Sequence, residues 1–188
     1  DASKTAVNSS VSKLSSANEF LGFVTFKFAN GYTALQLRPT YFMQSQSGSG
    51  SDGSHSYNLT GYTLFPLARL IALSNDLIDF YIQGGLGYGS LSGDIQNGSR
   101  KASFSGSAFG MQVGMGAEFC FVPTHCFAVE GNYRYLPIDR NIVSSASGGL
   151  PYGSTQATKD QELEDAAGND VATTLSGIAG SISYIYNF

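Results

Sequence analysis

Residues 180–188 read GSISYIYNF, and every second residue counted back from the last is large and apolar. Successive side chains of a β-strand point to opposite faces, so this alternation predicts a strand with one apolar face. The apolar positions are Ile182, Tyr184, Tyr186 and Phe188. A period of two is therefore the pattern to look for in the rest of the chain.

The same period recurs along most of the sequence, and no stretch of about 10–12 residues has the pattern of an amphipathic helix. It marks seven strands, at 19–28, 32–44, 57–73, 78–91, 104–121, 126–136 and 173–188. Short connectors alternate with long polar ones, and the long ones are 45–56, 92–102 and 137–172. The pattern predicts an all-β, up-and-down antiparallel sheet whose long loops all lie at one end.

The composition excludes several classes of protein. The chain has 188 residues with a net charge of −4 and no basic cluster, which argues against a nucleic-acid partner. No apolar run is long enough for a transmembrane helix. The glycine-rich stretch 84–89 (GGLGYG) lacks the strand–turn–helix context of a dinucleotide site, so no cofactor is predicted.

The two faces of the predicted strands differ in a way that indicates their surroundings. Only 13% of the residues are charged, about half the usual share, so the polar face has too few Lys and Glu for a water-facing surface. We therefore assign the apolar face to lipid and the polar face to a small lumen, which predicts a transmembrane β-barrel. A soluble lipocalin-like carrier, with the apolar face inside, is the alternative.

Several charged residues fall on the predicted lumen face. If Cys120 opposes Cys126, Glu130 becomes the diagonal neighbour of Glu118, and a base from across the lumen is needed to balance the two acids. Lys27 and Arg38 are candidates for that base. The predicted network is Lys27, Arg38, Asp79, Glu118, Glu130 and Arg134, with Glu19 and Arg69 on the same face. The alternative is that several of these residues lie near strand ends in water.

Cys120 and Cys126 flank FVPTH and lie on the same face of a predicted hairpin. A same-face pair across a short turn can satisfy disulfide geometry, so we predict a disulfide. The alternative is two free cysteines. A zinc site that includes His125 would need more ligands than the sequence offers nearby.

The terminal YIYNF resembles the assembly signal of bacterial outer-membrane β-barrels, and YIQGGLGYG (81–89) is similar to the glycine-rich strand of small barrels of the OmpA, OmpX and OmpW type. The resemblance implies an outer-membrane location, with lipid as a partner, short turns in the periplasm and long loops outside the cell. It also implies that the barrel-insertion machinery reads the last strand. The signal positions would be Ile182, Tyr184, Tyr186 and Phe188.

The strand count does not show which segment supplies the first strand of the barrel. Bacterial single-chain barrels have an even number of strands, so seven clear strands predict an eighth. We divide the chain into an N-terminal segment, 1–18, and a barrel, 19–188, and expect a weakly alternating first strand at 4–14. The alternatives are an N-terminal plug, another strand within 137–172, or closure between chains.

These observations predict a function that is not enzymatic. A barrel of this size can be filled by its own side chains, which favours a structural or surface-interaction protein. The acidic loop 137–172 is the predicted contact element for a protein partner, and it lacks the spacing of an EF-hand calcium site. The alternative is a narrow channel for small or apolar molecules. A lipid-modifying enzyme using His55 would need a fixed triad that SDGSHS (51–56) does not predict.

Overall fold

The computed structural model describes residues 17–50, 53–75, 77–147, 159–164 and 169–188, so the predicted strand at 4–14 lies outside the described residues. Within these ranges the chain is all-β and antiparallel and has no helix. No described helix is therefore a candidate for crossing a membrane. The strands are β1 Asn18–Leu21, β2 Val24–Lys27, β3 Thr33–Gly50, β4 Gly53–Ser74, β5 Ile78–Asn97, β6 Arg100–Val122, β7 His125–Tyr135, β8 Pro137–Ile138, β9 Asn141–Ser147, β10 Thr173–Thr174 and β11 Gly177–Tyr186.

The main sheet curls into a half-barrel with the order β1-β3-β4-β5-β6-β7-β11. β2 continues β1 along β3, because the pairs Leu21↔Thr40 and Val24↔Leu37 share one register. The break between them faces Pro39, which has no N–H to give to the ladder. The seven predicted strands and their up-and-down order are thus confirmed, and β1–β2 and β11 form the two edges of the sheet.

Two ends of the half-barrel can be distinguished. We call the end with the turns at 28–32 and 123–124 the base. The crown is the opposite end, which holds the tips of the β3–β4 and β5–β6 hairpins. The prediction of loops at 45–56 and 92–102 is wrong. The described residues of both segments extend the hairpins in pairs such as Gln46↔Tyr57 and Asp94↔Ser103. Ser and Gly suggested loops, but ladder pairing and inward apolar side chains keep the segments extended.

The predicted long loop is also partly regular. β9 pairs with β6 beyond the crown end of β7, so the chain after Tyr135 continues the sheet after a short interruption. The chain then returns along β9, where the N–H of Val143 donates to Gln161 O (2.9 Å) and that of Leu163 donates to Asn141 O (2.7 Å). Residues 148–158 and 165–168 lie outside the described part. The prediction of a long loop at 137–172 is therefore wrong for the described segments that pair with neighbouring strands.

The interior changes character between the crown and the base. A buried apolar core fills the crown, and the strands and the returning chain both contribute to it. Its members are Phe42, Leu91, Ile95, Phe104, Ile138, Val143 and Leu163. Towards the base the buried side chains are mainly polar or charged, which makes the lower interior the first candidate for a functional site.

Candidate functional site: the charged interior and the apolar outer face

Glu130 on β7 is the centre of the charged interior. Its carboxylate accepts hydrogen bonds from Arg38, from Arg69 Nη2 (3.1 Å) and from the Tyr81 hydroxyl (2.6 Å). All four side chains are buried. An isolated buried carboxylate would be strongly destabilising, so this set of donors is what allows Glu130 to remain inside.

Arg69 on β4 connects the two acids that the sequence placed side by side. Its Nη1 lies 3.6 Å from Glu118 Oε2, and its Nη2 contacts Glu130. The guanidinium carbon also lies 3.6 Å from the centre of the Tyr81 ring, and Gln83 accepts hydrogen bonds from the same side chain. Sequence reasoning placed Arg69 on the lumen face but missed this central role.

Lys27 lies nearer the base and is partly exposed. Its Nζ is 3.2 Å from Asp79 Oδ2 and 3.4 Å from Glu118 Oε1. Ser74 Oγ donates to the other Asp79 oxygen at 2.5 Å. The base that Glu118 requires is therefore supplied from across the interior by Lys27 and Arg69.

Arg134 faces the interior as predicted but contacts neither Glu118 nor Glu130. Its guanidinium pairs with Glu19 on β1, and its Nε donates to Leu175 O at 2.7 Å. This ion pair joins β7, the neighbour of one sheet edge, to the other edge. The structure thus groups Lys27, Arg38, Asp79, Glu118 and Glu130 with Arg69 and places Arg134 in a second cluster.

The disulfide partners lie inside the half-barrel below Glu118. Cys120 and Cys126 are register partners, and their Sγ atoms are 2.03 Å apart, at disulfide distance. Together with Glu118 they form a group of potential metal ligands, but sulfurs bonded to each other cannot coordinate an ion. His125 lies on the outside and contacts Tyr184, so it does not add to this group.

The outer face of the lower strands has the opposite polarity. Large apolar side chains point away from the interior on every main strand and are exposed. Examples, one from each of β2 to β7 and from β11, are Phe26 (61%), Leu37 (45%), Leu64 (41%), Ile82 (51%), Met115 (66%), Val129 (51%) and Ile182 (79%). We call this surface the apolar band.

The apolar band has a boundary towards the crown. Outward residues there are small and polar, as at Ser45, Ser92 and Ser105. Aromatic side chains mark the two margins of the band. On the crown side the Tyr88 ring lies 6.5 Å from Tyr62 and 5.4 Å from Phe109, and on the base side the rings in contact are Phe121, Phe127, His125, Tyr184 and Tyr186.

The predicted assembly-signal residues belong to this outer face. Ile182, Tyr184, Tyr186 and Phe188 all point outward and are exposed. The opposite positions, including Ser181 and Ser183, face the interior. The alternating apolar residues at the end of the sequence thus form an outward-facing row along the edge strand β11.

A cleft of about 1680 Å³ opens between the two sheet edges. β1, β2 and β11 line its sides, and Glu19, Arg38 and Arg134 line its floor. The Oγ atoms of Ser181 and Ser183 are buried and have no hydrogen-bond partner among the described residues.

The other predicted sites do not form a catalytic or metal centre within the described residues. His55 lies on β4, pairs with β5 and is buried, so it does not belong to a solvated loop. Asp52, its predicted neighbour, lies outside the described residues. In the acidic stretch Arg140 pairs with Glu162, and the negative charge of Glu162 raises the pKa of the Asp170 carboxyl.

Comparison with known proteins adds no relative. No protein-family model matches the chain, and comparison with curated proteins and with solved structures finds no significant similarity. Function is therefore inferred from the geometry of the charged interior and the apolar band.

Proposed function

We propose that the chain is a bacterial outer-membrane β-barrel of the small OmpA, OmpX and OmpW type, with a largely filled lumen and a structural or surface-interaction role. One observation carries the proposal: at the level of the apolar band the strands bury charged side chains and expose large apolar ones. Glu130 and Arg69 are 3% exposed, whereas Met115 is 66% exposed. Water disfavours such an apolar exterior, whereas lipid favours it.

The dimensions of the apolar band support the membrane assignment. On β6 the outward apolar residues run from Phe109 to Phe121, about 40 Å along the strand at ~3.3 Å per residue. A strand tilted by about 40° then spans ~30 Å along the membrane normal, close to the thickness of a hydrocarbon core. The aromatic rows lie where the interfaces would be, as membrane aromatics commonly do.

Membrane insertion also requires a closed barrel, because lipid cannot satisfy the backbone groups of an open edge. In the proposed state β1–β2 and β11 are therefore joined through an eighth strand. The contact between Arg134 and Glu19 supports closure, since it already connects the two sides of the cleft.

The filled interior favours a non-conducting protein. The apolar core closes the crown, and the network around Glu130 occupies the level of the apolar band. The crown projects beyond the band, with polar outward side chains and the described parts of 137–172. This arrangement supports a protein partner at the crown, on the outer side of the membrane, with the short turns in the periplasm.

A narrow pathway for small or apolar molecules is the second candidate, and the cleft beside the charged interior favours it. Ion conductance in planar lipid bilayers distinguishes the two functions, with folding checked by circular dichroism on the same sample. We expect a folded, inserted and silent protein. Steady conducting steps in the folded protein would favour the transport function and contradict a filled lumen.

A further inference from the structure

The part of the charged interior nearest the base contains three side chains whose atoms can bind a metal ion. Glu118, Cys120 and Cys126 each place one ligand atom within 4.8 Å of the other two. Cys120 Sγ lies 3.8 Å from Glu118 Oε1. The register sets this arrangement, because Cys120 pairs directly with Cys126, and Glu118 lies two positions before Cys120 on the same inward face of β6.

We propose that reduction of the Cys120–Cys126 disulfide opens a zinc site formed by these two cysteines and Glu118. A dithiol reductant supplies the step: it gives two electrons and two protons to the disulfide, becomes a cyclic disulfide itself and leaves two thiols. Binding of Zn²⁺ then releases both thiol protons to solvent and forms two Zn–S bonds and one Zn–O bond. The site depends only on the folded interior and not on membrane insertion.

The spacing and the chemistry of the ligand atoms suit zinc. A tetrahedral ion with bonds of about 2.3 Å to sulfur and about 2.0 Å to oxygen places these two ligand atoms about 3.5 Å apart. The observed distance between Cys120 Sγ and Glu118 Oε1, 3.8 Å, is close to that value. Three protein ligands leave the fourth position for water, and thiolate ligands favour zinc over calcium or magnesium. The cleft provides a route of entry, because Glu118 belongs to its lining.

Two neighbouring side chains affect the ligand atoms in opposite ways. Asn187 Nδ2 donates to Cys126 Sγ at 3.2 Å, and a hydrogen bond donated to sulfur stabilises the thiolate that a metal ion requires. Lys27 Nζ lies 3.4 Å from Glu118 Oε1, the same oxygen that faces Cys120. The Lys27 side chain is 41% exposed and can turn into solvent, whereas Glu118 is buried. Lys27 is therefore the cation that competes with zinc for this oxygen.

Zinc titration of the full chain tests the site. The chain is folded in detergent micelles, treated with a dithiol that is then removed without oxygen, and titrated with Zn²⁺ against a chromogenic chelator. We expect one zinc ion per reduced chain and none per oxidised chain. Even outer-shell partners of a metal site change its affinity by about 10–100-fold, so Glu118→Gln should weaken binding by at least about tenfold. Lys27→Met should instead tighten it by about two- to fivefold, the strength of a partly exposed ion pair.

The double variant Cys120→Ser, Cys126→Ser is the control for zinc bound elsewhere, for example at His125, and circular dichroism checks the fold of every sample. Equal binding by the oxidised chain or by the double variant would overturn the inference, as would a reduced, folded chain that binds no zinc. Unchanged affinity in folded Glu118→Gln would do the same. If that variant does not fold, Lys27→Met decides, because unchanged or weaker affinity there contradicts competition for Glu118. A chain that folds in buffer alone would count against the membrane function only, and the same titration would still apply.

Discussion

Replacing Met115 by arginine tests whether the apolar band faces lipid. Met115 lies near the middle of the outward apolar residues of β6 and is 66% exposed. Ser107→Arg is the matched control, because Ser107 is also outward and exposed on the same strand but lies towards the crown. The two positions are separated by about 26 Å along the strand at ~3.3 Å per residue, or ~20 Å along the membrane normal if the proposed membrane strands tilt by about 40°.

That separation exceeds half the thickness of a hydrocarbon core, which is about 15 Å. Arg at a bilayer midplane costs about 2–4 kcal/mol in barrel proteins, and about 0–1 kcal/mol near an interface. We therefore expect Met115→Arg to lower the free energy of unfolding by about 2–4 kcal/mol and Ser107→Arg by at most about 1 kcal/mol.

The assay is reversible urea unfolding in lipid vesicles, followed by circular dichroism because the chain has no tryptophan. A surface substitution in a water-soluble protein usually changes stability by less than about 0.5 kcal/mol. If both variants fall within that range, or if the unmodified chain folds in buffer without vesicles or detergent, the membrane reasoning is refuted.

Three further predictions concern the interior, each measured by the same unfolding assay. Glu130→Gln leaves two buried arginines without their shared carboxylate and should cost about 3–5 kcal/mol, and a loss below 1 kcal/mol would mean that the network is solvated. Replacing Cys120 and Cys126 together by serine should cost about 2 kcal/mol, because the closed loop is short, and reduced unmodified protein should match the variant. Gly110→Ala should destabilise by about 1–3 kcal/mol, since its Cβ would clash with the backbone carbonyl oxygen of Tyr135 and lie 2.7 Å from Leu136 Cδ1. A Cβ at Gly131 would have nothing within 4 Å, so Gly131→Ala should be close to neutral, and equal effects of the two substitutions would contradict the packing.

The sequence predicted the lower strands and part of the charged interior because those features depend on local register. Cys120 and Cys126 face each other across a short turn, and that one pairing also places Glu118 opposite Ala128 and Glu130 diagonally beyond it. The need for a base from across the interior followed from the same register. The register of one hairpin cannot show which basic side chain contacts the two acids, because that depends on how the sheet curls.

Arg69 illustrates what the period-two alternation of apolar residues does not reveal. It is 61 positions from Glu130 in sequence, and only the curvature of the sheet brings their side chains together. Its strand also contains Pro66 and apolar residues on both faces, so the alternation there gave no clear assignment of inside and outside. In the crown the error had another cause: Ser-rich and Gly-rich segments have loop composition, yet inward residues such as Ile95 and Phe104 anchor them to a core.

In the proposed membrane placement, the change of interior between band and crown matches a change of solvent outside. Around the crown the outside is water, so burying Phe42, Leu91 and Leu163 gains hydrophobic free energy, as in any soluble core. In that placement lipid surrounds the band, so an apolar interior would gain little free energy over contact with lipid. Hydrogen bonds and ion pairs that hold one arrangement, such as those of Glu130 with Arg38 and Arg69, are then the effective way to fix the strands. A single curled sheet can thus combine a charged interior and an apolar core, each suited to the solvent that surrounds it.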